Sequence, residues 1–193
     1  MLNNFEMNEQ WLRLKDVSRV NIIGKSGSGK STFGKRLSES LRIQYLQMDQ
    51  LYWGPNWYEP SDEEFFPKLK KALGGEKWVL DGNYTRTTHI KWESVQVVIW
   101  LDLPFHTVLY RIIKRSLLRA VDKRELWSGT GNRESFRKML FGRDCMIRWM
   151  LKTYGPNRKK YNEVMKDERF SHIRFIRLST PKKVELFLRE VGK

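Results

Sequence analysis

Gly24-Lys25-Ser26-Gly27-Ser28-Gly29-Lys30-Ser31 stands between an apolar run, Arg19 to Ile23, and a stretch whose apolar residues Phe33, Leu37 and Leu41 recur at helical spacing. It fits the pattern G-x-x-x-x-G-K-[ST] without mismatch, in the strand–loop–helix setting the pattern requires. The glycines let the backbone curl so that successive N–H groups point inward at phosphate oxygens. Lys30 supplies a point charge for the β- and γ-phosphates, and the Ser31 hydroxyl is the expected Mg²⁺ ligand. The helix that opens there adds its positive end. Gly24, Ser26, Gly27, Ser28, Gly29, Lys30, Ser31 and Thr32 are therefore the candidate residues for binding the phosphates of ATP with Mg²⁺.

Working outward, the chain alternates short apolar runs with helical patterns. Strands are predicted over 19–23, 43–48, 77–80, 95–101 and 173–178. Helices are predicted over 30–41, 62–73, from about 105 to 120, over 133–153 and 156–167, and over 181–191. Ser61 with Glu64 three positions later marks a capping box, and Pro181 suits a first helical turn. Residues 121–132 break the pattern with Gly129 and Gly131. Strands alternating with helices describe a parallel sheet covered on both faces. The expectation is one α/β domain over 19–193, an N-terminal extension over 1–18, and a helical basic lid over about 116–153, between strands 4 and 5.

Composition narrows the class. The 193 residues are 40% hydrophobic and 31% charged, the balance of a folded chain. No apolar run approaches the ~20 residues of a membrane span. No signal-peptide core opens the sequence, and a single cysteine, Cys145, fits a reducing compartment. The expected location is the cytoplasm. The net charge of +15 is uneven: 14 Lys/Arg against 13 Asp/Glu up to Pro104, then 23 against 9. A basic half suits nucleic acid, a site that gathers several phosphates, or a solvated helical surface. No helix-turn-helix, zinc finger or aromatic-basic RNA motif supports the first of these. His89, His106 and His172 are scattered without metal spacing.

The segment Asp81-Gly82-Asn83-Tyr84-Thr85-Arg86-Thr87 resembles the Asp-Gly-Phe-Pro-Arg-Thr segment of adenylate kinases and other nucleoside monophosphate kinases. It departs at Asn83-Tyr84, where those kinases carry Phe-Pro. The resemblance implies Asp81 as the metal-side carboxylate and Arg86 as a clamp on the acceptor's phosphate. Trp100-Leu101-Asp102-Leu103-Pro104, followed by Arg111 and Arg115, is similar to the fourth strand and lid-bearing helix of that family. It implies lid arginines over the transferring phosphoryl, for which Arg115, Arg119, Arg124 and Arg133 are candidates. It also implies a P-loop NTPase three-layer fold, a sheet in the order 2-3-1-4-5, and adenine held near Ser179-Thr180-Pro181. With Met48-Asp49-Gln50-Leu51-Tyr52-Trp53 and Asn56-Trp57 added, the likeness narrows to adenylate-kinase-like bacterial proteins labelled DNA topology modulation proteins. It covers about residues 19–190.

Asp49 ends the second predicted strand, in a setting similar to the Asp-x-Phe-Tyr of uridine-kinase-like enzymes, where the carboxylate takes the acceptor hydroxyl's proton. A hydroxyl acceptor needs a base, whereas a phosphate acceptor needs only cationic clamps. Asp49 argues for a hydroxyl and Arg86 for an anion. A turn or helix cap is the structural alternative for Asp49. Tyr52, Trp53 and Trp57 either stack on a ligand or fill space beneath a mobile helix. The sequence thus points to ATP-dependent phosphoryl transfer to a nucleotide, nucleoside or other small metabolite. The alternatives are an ATP-switched nucleic-acid-binding regulator and a nucleotide binder without turnover.

Overall fold

A computed structural model describes residues 16–122, 125–127, 129–132 and 146–192, without the side chains of 116, 119–122 and 146–150. Five strands form one sheet: β1 (Arg19–Gly24), β2 (Gln44–Gln47), β3 (Trp78–Asp81), β4 (Val97–Leu101) and β5 (Arg174–Leu178). Their spatial order is β2-β3-β1-β4-β5 and every pairing is parallel, as the resemblance implied. Helices α1 (Lys30–Leu41), α2 (Met48–Tyr52), α3 (Asp62–Ala72), α4 (Thr88–Lys91), α5 (Phe105–Asp122), α6 (Met146–Val164) and α7 (Pro181–Val191) connect and cover it. None of the described helices is long and apolar enough to cross a membrane.

Strand periodicity explains the two cores. Val20, Ile22, Val79, Val97, Ile99 and Leu101 point to the face covered by Phe33 and Leu37 of α1 and Phe187, Leu188 and Val191 of α7. Ile23, Trp78, Leu80, Val98 and Trp100 point the other way, against Phe65 and Leu69 of α3 and Tyr161 of α6. A fully buried Phe or Leu of this kind contributes about 1.5–3 kcal/mol. Val17 is buried with the first core, and the Gln96 side-chain oxygen accepts from the Ser18 and Arg19 amides at 2.7 and 3.1 Å. The capping box at the start of α3 forms in both directions between Ser61 and Glu64.

Two boundaries differ from expectation. The second strand stops at Gln47, so Asp49 lies in the first turn of the short helix α2 rather than at a strand end. Helix α6 runs unbroken through Gly155-Pro156, where sequence alone predicts an end. Packing on both sides of the proline outweighs its missing donor: Tyr154 meets Phe105 edge-on and Tyr161 packs on Trp100. The predicted helix at 133–153 falls largely outside the described residues, as does the predicted short helix in the N-terminal extension.

Candidate active site

The carboxyl ends of β1, β2, β3 and β4 gather the motif residues at one edge of the sheet, where open parallel sheets hold their ligands. The loop after β1 is shaped by positive backbone angles. Gly27 has φ +79 and Gly29 φ +91, and a Cβ on Gly27 would stand 2.5 Å from Ile112 Cγ1. Gly29 is the N-cap of α1 and makes no side-chain cap bond, so the helix opens with its N–H groups turned to the loop. The Ser28 hydroxyl is buried and has no partner within the protein. Lys30 Nζ donates across the loop to the Lys25 carbonyl at 3.1 Å. A curled backbone, an unpartnered buried hydroxyl and a lysine resting on its own loop fit a polyphosphate.

Opposite the loop, Asp81 ends β3, is 2% exposed, and accepts from Tyr45 Oη at 2.7 Å. Ser31 hydrogen-bonds the same carboxylate, with Lys30 and Asp49 within electrostatic reach. Burial pushes the Asp81 carboxyl up, while the Tyr45 hydroxyl, Lys30 and Ser31 hold it down. Burial likewise pushes the Lys30 ammonium down against the pull of Asp81 and Asp49. Phosphates would restore the charge on Lys30, and a divalent cation the charge on Asp81. Mg²⁺ takes few protein oxygens and shares its shell with phosphates and water, so Ser31 and Asp81 are a fitting pair.

A second side of the candidate site is built by α2, the turn after β3 and the 53–58 loop. Tyr84 Oη donates to Asp49 Oδ1 at 2.9 Å, and burial with that carboxylate pushes the Tyr84 hydroxyl far up. Arg86 lies over the Tyr52 ring at 4.9 Å and pairs with Asp62 at 2.9 Å, within electrostatic reach of Tyr84. Tyr52 is buried in the core, whereas Trp57 is 39% exposed and meets Trp127 edge-on at 6.0 Å. Asn132 reaches across to this loop, accepting from the Trp57 amide at 2.7 Å and donating to the Gly54 carbonyl at 2.9 Å. Asn56 and Trp57 both take positive φ, the conformation this clamp holds.

From α5, Arg115 Nη2 donates to Ser26 Oγ at 3.3 Å and sits within electrostatic reach of Lys30. Arg111 Nη1 donates to the Ser28 carbonyl at 2.9 Å. Arg119's side chain and the whole of Arg124, Arg133 and Cys145 lie outside the described residues. Thr32 is exposed in the first turn of α1, and Thr180 N-caps α7 by accepting from the Lys183 amide. Of the basic half, Arg158 and Arg177 converge on buried Asp102, where Arg158 Nε lies 3.0 Å and Arg177 Nε 2.9 Å from Oδ2.

Four contributors escaped the sequence reading. Tyr45 and Tyr84 hold the two carboxylates from 36 and 35 residues away. Asn83 brackets Gly24, accepting from its N–H at 2.9 Å and donating to its carbonyl at 2.7 Å. Lys91 is buried behind that turn. A signal for two of them was present: Asn83 and Tyr84 are the positions where the chain departs from Phe-Pro.

Known proteins resemble the chain in sequence and in fold. A bifunctional shikimate kinase/3-dehydroquinate synthase of Thermotoga maritima is 38% identical over 61 residues, 28% of this chain and 12% of that protein. A shikimate kinase of Persephonella marina is 30% identical over 114 residues, covering 49% of this chain and 67% of that protein. The chain thus spans a small part of the first relative and about two thirds of the second. The shikimate kinase of Acinetobacter baumannii, solved in complex with shikimate, superposes over 93% of both chains with a TM-score of 0.52 and 18% identity, which shows the fold. No protein-family profile matches the chain. With that fold, that loop and that relative, the chain belongs to the family of P-loop kinases that includes the shikimate kinases.

Proposed function

We propose that the protein is an ATP-dependent phosphotransferase that moves the γ-phosphoryl of ATP to a hydroxyl of a small metabolite carrying an anionic group. The observation that carries this reading is the position of Asp49. It stands at the carboxyl edge of the sheet, within electrostatic reach of both Lys30 and Asp81, with Tyr84 donating to Oδ1. A carboxylate so placed accepts the proton that a hydroxyl must lose as the phosphoryl arrives.

The other residues take consistent parts. The amides of Gly27, Ser28 and Gly29 with Lys30 hold the donor phosphates, and Arg115 offsets charge that develops on the moving group. Ser31 and Asp81 would hold Mg²⁺, which would supply positive charge to offset that of the transferring phosphates. Arg86 binds the acceptor's anion, exchanging its contact with Asp62 for the ligand. Trp57 and Trp127, brought together by Asn132, close the acceptor side to water. Arg119 and Arg124 are proposed as lid arginines of the segment 116–153, and residues 1–18 as an extension to the kinase-like domain over 19–193. The motifs around Asp49 and Asp81 support a proposed kinship with the group labelled DNA topology modulation proteins, and the proposed location is the cytoplasm.

The test is transfer from labelled MgATP to a panel of nucleosides, nucleoside monophosphates and phosphorylated or carboxylated metabolites. Transfer to a hydroxyl compound that collapses in Asp49→Asn supports the proposal. Transfer to a monophosphate that survives Asp49→Asn and dies in Arg86→Ala would make the protein a nucleotide kinase. ATP binding with no transfer, alongside salt-dependent DNA affinity, would replace the proposal with a regulatory role.

A further inference from the structure

We infer that Lys91 is a positioning residue for the phosphate loop, acting through Asn83; the inference rests on the reading of that loop as the ATP site. Lys91 closes α4 and is 1% exposed. Its Nζ makes a very close hydrogen bond to the Asn83 carbonyl and lies 3.4 Å from the Gly82 carbonyl. The Asn83 side chain in turn grips both backbone groups of Gly24, the first residue of the loop. The chain of contacts therefore runs from a buried amine, through one turn, to the point where β1 becomes the phosphate loop.

The setting explains why an amine sits there. Among the described residues, the charged group within electrostatic reach of Lys91 is Lys160, of like sign, whose Nζ donates to Thr85 Oγ1 at 2.7 Å in the same turn. Burial without a counter-ion opposes folding, so an apolar side chain of this length would serve the core better. What the amine adds is a grip on two adjacent carbonyls. Those carbonyls belong to a turn that cannot shift freely. Gly82 has φ +147, and a Cβ on it would stand 2.3 Å from Met48 Cβ. The Gly82 amide donates to the Ile22 carbonyl at 3.1 Å, and Asn21 Nδ2 donates to the Leu80 and Gly82 carbonyls at 3.0 and 3.3 Å. Trp92, next to Lys91, donates from Nε1 to Asn21 Oδ1 at 2.8 Å. β1, β3 and α4 are thereby locked to one another where the loop begins, and Asn83 transmits that register to Gly24. Preorganised supports of this kind hold a binding group in place without touching the ligand.

The test measures MgATP affinity by titration without any acceptor, in the full chain, for Lys91→Met, Asn83→Ala and the double variant. Each single change is expected to weaken MgATP about tenfold or more, the range seen for supporting contacts. The double variant is expected to be no weaker than the worse single one, because both changes break the same chain of contacts. Where an acceptor is turned over, the KM for ATP rises while kcat at saturating ATP holds. Thermal unfolding of Lys91→Met is expected at or above the wild-type temperature, which separates positioning from general destabilisation. Wild-type affinity in Lys91→Met, or effects that multiply independently in the double variant, would overturn the inference. Should Lys91→Met fail to fold, Asn83→Ala and Asn83→Asp carry the test, and unaltered MgATP binding in both would overturn it. A wild-type chain that binds no MgATP would sink the reading of the loop itself, and the inference with it. Failure to find an acceptor leaves this measurement untouched.

Discussion

Replacing Tyr45 with Phe removes one hydroxyl and keeps the ring, which packs where a Cβ on Gly34 would come within 2.8 Å of it. The hydroxyl donates at 2.7 Å to Oδ2 of a carboxylate that is 2% exposed. Hydrogen bonds to charged groups contribute about 1.5–3 kcal/mol, and a buried acceptor that loses its donor forfeits that amount. At about 1.4 kcal/mol per factor of ten, the ionised form of Asp81 becomes roughly 10- to 150-fold less favourable. The sign follows directly. Burial already pushes the Asp81 carboxyl up and Tyr45 holds it down, so the variant keeps its proton to higher pH. A protonated carboxyl is a poor Mg²⁺ ligand, so protons compete with the metal more strongly in the variant. Titrating Mg²⁺ at fixed ATP, at pH 6 and at pH 8, reads this out. Tyr45→Phe is expected to need about ten times more Mg²⁺ or beyond, with the larger gap at pH 6, while affinity for metal-free ATP changes little. Equal Mg²⁺ requirements for variant and wild type at both pH values would refute the assignment of Asp81 to the metal side.

Gly27→Ala forces a left-handed backbone angle on a residue with a Cβ, at roughly 1–2 kcal/mol, and drives that Cβ into Ile112. MgATP affinity should fall at least tenfold. Gly129→Ala, at φ +78 with nothing within 4 Å, carries the same backbone penalty and should bind as wild type does. Calorimetry across pH tests the burial of Lys91, whose ammonium is pushed from 10.5 down to about 7, chiefly by burial and then by Lys160. Between those two pH values the unfolded chain holds a proton that the folded chain has released. Wild-type stability relative to Lys91→Met should therefore rise with pH across that window, by roughly 1.4 kcal/mol per unit at most, and stay flat below it. A flat difference throughout would show that Lys91 is not desolvated.

Local patterns made most of the fold legible. The β1–loop–α1 unit, the Ser61 capping box and the β-branched β4 each follow from short-range rules, and the strand order followed from resemblance. The misread boundaries are those where distant packing decides. Gly155-Pro156 reads as a stop until Tyr154 and Tyr161 are seen seated on Phe105 and Trp100. Asp49 reads as a strand end because the turn into α2 has no sequence signal of its own. At the site, the loop residues stand out by their fixed spacing, while Asp49 and Asp81 were singled out by resemblance, and both carboxylates lie near Lys30. The contacts of Tyr45, Tyr84 and Asn83 were not legible, since their partners lie on other elements: Asp81 on β3, Asp49 on α2 and Gly24 on β1. Lys91 has the sequence appearance of an ordinary solvated lysine at the end of a short helix, and nothing local reports its burial.

The central claim is that Asp49 serves an acceptor hydroxyl beside a P-loop that presents ATP. Phosphorus-31 NMR of the turnover mixture tests it most directly, because it reports whether the transferred phosphorus ends in an ester or an anhydride. The account predicts a phosphate ester formed with stoichiometric ADP, and its loss by about 10²- to 10⁴-fold in rate in Asp49→Asn with MgATP binding retained. A new anhydride, or an ester formed at an undiminished rate by Asp49→Asn, would contradict it.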